Sequence, residues 1–116
     1  MVDLVSSQKV KEGKIVKVEA QFDDVIMRLK ISGDFFLHPE EVLDDIEKSM
    51  LGLKRDVSFD TLVFKIQNIN EKYDARMIGI SPESLALVIK EALKLNGEYL
   101  ALKPVMPISI WLWMNQ

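Results

Sequence analysis

Ile15-Val16-Lys17-Val18-Glu19-Ala20-Gln21-Phe22 is the stretch that decides the fold. Val16, Val18, Ala20 and Phe22 alternate with Lys17, Glu19 and Gln21. An extended chain of that period turns one set toward a core and the other toward water. Asp23-Asp24 follows as a two-residue turn, though without the glycine such turns favour. A second strand then runs from Val25 to Ser32. A tight turn predicts Phe22 opposite Val25, Ala20 opposite Met27, Val18 opposite Leu29 and Val16 opposite Ile31 on the core face. On the wet face it sets Glu19 opposite Arg28, with Lys17 opposite Lys30 as the one discordant pair.

Upstream, Val2 to Val10 reads as a further strand with Leu4 and Val5 as its apolar residues, followed by a turn at Lys11-Glu12-Gly13. Downstream, Gly33-Asp34-Phe35-Phe36-Leu37-His38-Pro39 breaks the alternation. A helix is expected from Glu40 to Leu51, with Val42, Leu43, Ile46 and Met50 at helical spacing and Asp44, Asp45, Glu47 and Lys48 on the wet side. Pro39 suits its first turn, Glu40 and Glu41 favour its positive end, and Gly52 can end it. Ser58 is a candidate N-cap for a second helix carrying Phe59, Leu62, Val63, Ile66 and Tyr73, whose far end Asn68 and Asn70 blur. Met77-Ile78-Gly79-Ile80 is a loop or a brief strand. Ser81 caps a third helix that starts at Pro82, buries Leu85, Val88, Ile89, Ala92 and Leu93, and stops at Asn96-Gly97. Strands first and helices after make an α+β pattern: an antiparallel sheet that begins with a meander or hairpin and packs against about three helices. The expectation is one domain over residues 1–116. Residues 99–116 form an apolar C-terminal segment, read as an extra edge strand or an interface.

Composition narrows the chemistry. The 116 residues are 48% apolar, enough for one compact core. With 15 Lys plus Arg against 18 Asp plus Glu, the net charge of −3 argues against disorder and against a strongly basic nucleic-acid module. Cysteine is absent, which excludes disulfides, thiolate nucleophiles and cysteine-ligated clusters. The single histidine argues against a self-contained histidine metal site. Met1 to Val5 lacks the basic segment and apolar run of a signal peptide. Tyr99 to Met114 is interrupted by Lys103, Pro104 and Pro107, and is too short and broken to span a membrane. A cytoplasmic location is expected.

No phosphate-binding glycine loop, dinucleotide fingerprint or nucleophile elbow is present. Asp34, His38, Glu40 and Glu41 form the one dense polar cluster, which could offer a metal one imidazole and several carboxylates. The plainer reading ties Asp34 to backbone N–H groups at a strand end and packs His38 in the turn. From Asp34 to Glu47 there are six acids and no Lys or Arg, a solvated face or a target for a basic partner. Lys9, Lys11, Lys14 and Lys17 make a modest basic segment that could meet phosphate or carboxylate. Phe35 and Phe36 leave a strand in different directions, so only one easily enters the core. The other packs under the first helix or against a partner.

The run Ile31-Ser32-Gly33-Asp34-Phe35-Phe36-Leu37-His38-Pro39 resembles the signature of the small C-terminal domain of lipoate–protein ligases, where a Gly-Asp-Phe-Phe segment also follows a hairpin and precedes a helix. Gly13-Lys14-Ile15 through Lys30 is similar to the hairpin before it, Met50-Leu51-Gly52 to the family's helix end, and Ile78-Gly79-Ile80-Ser81 to a later segment. The resemblance covers roughly residues 13–95. The segment from Leu100 to Gln116 is more apolar and aromatic than the family domain. The resemblance implies an accessory subunit, as in archaea that split the ligase into two polypeptides. Catalytic and cofactor-binding residues would then lie in a large partner that binds ATP, Mg and lipoate, forms lipoyl-adenylate and serves a lipoyl-acceptor protein. It implies no catalytic, cofactor or metal residue in this chain. Lys14, Gly33, Asp34, Phe35, Phe36 and Gly79 are its interface or structural positions. No nucleic-acid partner is expected, and self-association stays open. The residues also leave open a scaffold domain of iron–sulfur-assembly-like fold without cluster ligands, and a small ligand- or nucleic-acid-binding module.

Overall fold

The computed structural model describes residues 2–94. The expectations for Asn96-Gly97 and for residues 99–116 lie outside the described residues. Strands β1 (Val2–Lys9), β2 (Ile15–Phe22) and β3 (Ile26–Gly33) form an antiparallel meander in the order β1-β2-β3. Strand β4 (Phe36–His38) pairs with β5 (Arg76–Ile78) in a separate two-stranded ribbon. Helices α1 (Glu41–Met50), α2 (Phe59–Tyr73) and α3 (Pro82–Lys94) complete the α+β architecture. Helix α3 packs on β1 and β2, α1 packs on β3 and β4, and α2 packs against both other helices.

The alternation of β2 holds: Val16, Val18, Ala20 and Phe22 are buried under the helices. The pairing with β3 differs from the tight-turn expectation by two residues. Val18 faces Ile31, Ala20 faces Leu29 and Glu19 faces Lys30, with an irregularity between Gln21 and Phe22 that brings Phe22 opposite Ile26. A two-residue turn of the favoured type needs positive φ at both central positions. Neither Asp23 nor Asp24 adopts it; the connection is wider, with the Asp23 N–H donating to the Val25 carbonyl at 3.0 Å. The bulge rotates the start of β3, so that Ile26 is buried while Met27 is 50% exposed. It also removes the expected Lys17–Lys30 clash, since Lys30 now faces Glu19.

The helix ends follow local chemistry. The Ser58 hydroxyl accepts from the Thr61 N–H at 3.1 Å. Helix α2 runs through Asn68 and Asn70 to Asp74, which closes it in the left-handed region at φ 50°. At α3, the Ser84 N–H donates to the Ser81 hydroxyl at 3.0 Å and the Ser81 N–H donates to the Ser84 hydroxyl at 2.8 Å, a reciprocal cap. Arg55 lies over the Phe22 ring at 4.7 Å and donates to the Leu93 carbonyl at 3.1 Å, which ties the loop after α1 to the negative end of α3. The Tyr73 hydroxyl donates to the Asp45 carboxylate and joins α2 to α1.

The outer edge of β3 is covered at two places. The Ile26 N–H donates to the Leu53 carbonyl and the Gly52 N–H donates to the Ile26 carbonyl, both at 2.8 Å. Further along, the Ile31 N–H donates to the Glu47 carboxylate at 2.6 Å. A side chain from α1 thus occupies backbone that an exposed edge would offer to another strand.

Candidate functional site

Three stretches converge at one end of the sheet: the start of β2, the exit of β3 and the exit of β5. The Ile15 N–H donates to Asp34 Oδ1 at 2.8 Å, and the Asp34 N–H donates back to the Ile15 carbonyl at 3.3 Å. Asp34 therefore extends the β2–β3 pairing by one rung, with its carboxylate as acceptor. Gly33 makes that approach feasible, because a Cβ there would sit 2.2 Å from the Ile15 carbonyl oxygen and 3.0 Å from two atoms of the Phe35 ring. Gly79 has φ of +85°, and a Cβ there would sit 2.7 Å from Lys14 Cγ. The aliphatic stem of Lys14 lies across Gly79.

Lys14, Gly33, Asp34 and Gly79 are thus brought together as a frame. Phe35 and Phe36 diverge as two consecutive side chains must. Phe35 is half-buried against the core, whereas Phe36 is 51% exposed. In the ribbon, Phe36 faces Ile78, Leu37 faces Met77 and His38 faces Arg76. Leu37 points inward and Met77 packs on the core. The opposite face of the ribbon presents Phe36, Ile78, His38 and Arg76, with Ile78 53% exposed. The Phe36 and His38 rings stack with centroids 6.1 Å apart and planes 4° from parallel. Beside them an open cleft of about 510 Å³ runs between the β3 exit, the ribbon and α1, with Glu40 and Asp44 at its acidic side. It is an open recess rather than an enclosed chamber.

The metal reading of Asp34, His38, Glu40 and Glu41 finds no support in the geometry. Among the described residues no group of three or more His, Asp or Glu side chains stands close enough to share an ion. Asp34 holds the Ile15 N–H, and His38 stacks on Phe36. Among the described residues no helix is long and apolar enough to cross a membrane.

Sequence reasoning missed Arg76 and Ile78 as parts of this surface. The signal was present in the in–out alternation of Arg76-Met77-Ile78, which matches that of Phe36-Leu37-His38, but three-residue strands are too short for periodicity to reveal a pairing. It also missed Glu47. Burial raises the Glu47 carboxyl above its ordinary 4.5, against the lowering effect of the hydrogen bond from Ile31. Nearby Asp44 adds to the rise, and Lys30 opposes it.

No protein-family model matches the chain, and no curated protein matches it. Among solved structures, the chain is similar to one from a structural study of an archaeal lipoylation system, described as a bi-partite lipoate protein ligase and its E2 lipoyl domain from Thermoplasma acidophilum. The similarity has a TM-score of 0.59 at 21% sequence identity, and covers 75% of this chain and 96% of the other. At that identity the likeness establishes a shared fold, an antiparallel sheet covered by helices, with a chain of that lipoylation system.

Proposed function

We propose that this chain is the non-catalytic accessory subunit of a two-part lipoate–protein ligase, and that it supports ATP-dependent formation of lipoyl-adenylate by a separate catalytic chain. One observation carries the reading: the Phe36–Ile78 pair is held out from the molecule on a backbone fixed by Asp34, Gly33 and Gly79. An exposed aromatic–aliphatic pair on a rigid frame has the makings of an anchor for a protein partner, because little conformational freedom is lost when it is buried. The Gly33-Asp34-Phe35-Phe36 run and the shared fold support the same reading.

In this account ATP, Mg and lipoate are bound by the partner, which also meets the lipoyl-acceptor protein. The accessory chain completes the partner's site from outside. Phe36 and Ile78 anchor the contact, with His38 and Arg76 as its polar margin. Asp34 and Gly33 hold the segment in shape, Phe35 pins it to the core, and Lys14 covers Gly79 and offers its amine at the rim. Docking holds partner elements in position and excludes water from the forming adenylate, which favours attack of the lipoate carboxylate on the α-phosphorus of ATP as the bond to pyrophosphate breaks and pyrophosphate leaves. The complex is placed in the cytoplasm, without nucleic acid.

The test is lipoyl-adenylate formation by a lipoate–protein ligase catalytic chain that lacks this domain, measured with ATP and lipoate in the presence and absence of this chain. The proposal expects a rate at least about tenfold higher with the chain present. Equal rates contradict it.

A further inference from the structure

The two edges of the main sheet are treated differently. On the outer side of β3 the Ile26 backbone groups are taken by Leu53 and Gly52, and the Ile31 N–H by Glu47. Strand β1 has no such cover among the described residues. Its outward groups can be identified from the ladder. Ile31 donates away from the sheet to Glu47, so its neighbours Lys30 and Ser32 bond inward to β2, at Glu19 and Lys17. In β2 the alternate residues Val16, Val18 and Ala20 then bond to β1, at Gln8, Ser6 and Leu4. This leaves the N–H and carbonyl groups of Asp3, Val5, Ser7 and Lys9 directed outward along an eight-residue strand.

The side chains on those positions show what fits. Asp3, Val5, Ser7 and Lys9 all lie on the face away from the helices and are exposed. An antiparallel strand that continues the sheet must place outward-bonding residues opposite outward-bonding residues. A second copy of β1 does so when a two-fold axis passes through Ser6. Asp3 then faces Lys9 of the second copy, and Val5 faces Ser7 of the second copy, each pair occurring twice. On the helix side Leu4 faces Gln8 of the second copy. Both ends of the joint bring opposite charges together, and no like charges meet.

We propose that β1 is a self-association strand, pairing antiparallel with β1 of a second copy through Asp3–Lys9 contacts to make a continuous six-stranded sheet across the dimer. The inference is independent of the ligase reading and uses the opposite edge of the sheet from α1.

Sedimentation velocity of the full chain over a dilution series tests it. The parent chain should sediment as a dimer that dissociates on dilution. Val5→Pro removes an outward N–H without touching the β2 ladder, and should raise the dissociation constant at least about tenfold while circular dichroism stays that of the parent. Asp3→Lys and Lys9→Asp should each weaken the dimer, since each sets like charges at both ends. The double variant Asp3→Lys with Lys9→Asp should restore it. The charge cycle decides the matter if Val5→Pro does not fold. A monomer throughout the series, a dimer insensitive to Val5→Pro, or a double variant no tighter than the singles overturns the proposal.

Discussion

The stem of Lys14 lies across Gly79, so close that a Cβ on the glycine would come within 2.7 Å of Lys14 Cγ. That contact joins the start of β2 to the end of β5, two places far apart in sequence. It holds the ribbon against the sheet beside the Asp34–Ile15 hydrogen bond. Two penalties should separate at this point. Gly79→Ala is strained both by its positive φ and by the lysine stem, and should lose about 2 kcal/mol in urea unfolding. In a Lys14→Ala background the steric part disappears and only the backbone cost of about 1 kcal/mol remains. A double-mutant cycle with zero coupling would contradict the contact.

Gly33 faces a harder obstacle, since the atom in the way is the Ile15 carbonyl oxygen at 2.2 Å from the Cβ position. Backbone cannot rotate aside as a lysine stem can. Gly33→Ala should therefore cost about 1–3 kcal/mol and broaden the amide resonances of Ile15 and Asp34. A parental unfolding curve would show that the β3 exit is not held as described.

Asp34 acts through one acceptor oxygen on the Ile15 N–H. Asp34→Ala should cost about 1 kcal/mol, and Asp34→Asn, which keeps a side-chain oxygen, should cost less. Hydrogen exchange at the Ile15 amide gives the specific readout: faster in Asp34→Ala, near parental in Asp34→Asn. Equal exchange in all three chains would remove Asp34 from its assigned role.

Glu47 gives stability a pH dependence of fixed sign. Burial raises its folded carboxyl above the ordinary 4.5. Just above that pH the folded chain keeps a proton that the unfolded chain has lost. Stability from this group is therefore fully present below 4.5 and declines as pH rises through the folded value. Glu47→Gln still offers an oxygen to the Ile31 N–H and does not ionise. Its urea midpoint relative to the parent should climb as pH rises above 4.5. Parallel curves would contradict the burial effect.

The long elements were legible because each carried a repeating signal. The alternation in β2 named its buried face, Ser58 and Ser81 named two helix starts, and the apolar spacing in α3 named its core residues. The β2–β3 register departs from the tight-turn expectation because the Asp23-Asp24 connection is wider and a bulge follows it. No pattern in Asp23-Asp24 discloses a bulge, and Val25 and Met27 looked as apolar as the Ile26 that took their place in the core. The end of α2 was blurred by asparagines that the helix tolerates once Leu62 and Ile66 bury its face. Of the candidate site, Gly33, Asp34 and the divergence of Phe35 from Phe36 could be read locally. The meeting of Lys14 with Gly79, and of Phe36 with Ile78, depends on tertiary folding that brings β5 beside β4, and short strands carry no periodic trace of it.

The exposed face of the ribbon is proposed to anchor a catalytic partner. Calorimetric titration of the chain into a lipoate–protein ligase catalytic chain lacking this domain tests it directly, with Phe36→Ala compared to the parent. Phe36 is half exposed, so truncating it should leave the urea midpoint nearly unchanged. The parent should bind saturably, and Phe36→Ala should lose at least about tenfold in affinity. Absence of binding by the parent, or parental affinity in the variant, would contradict it.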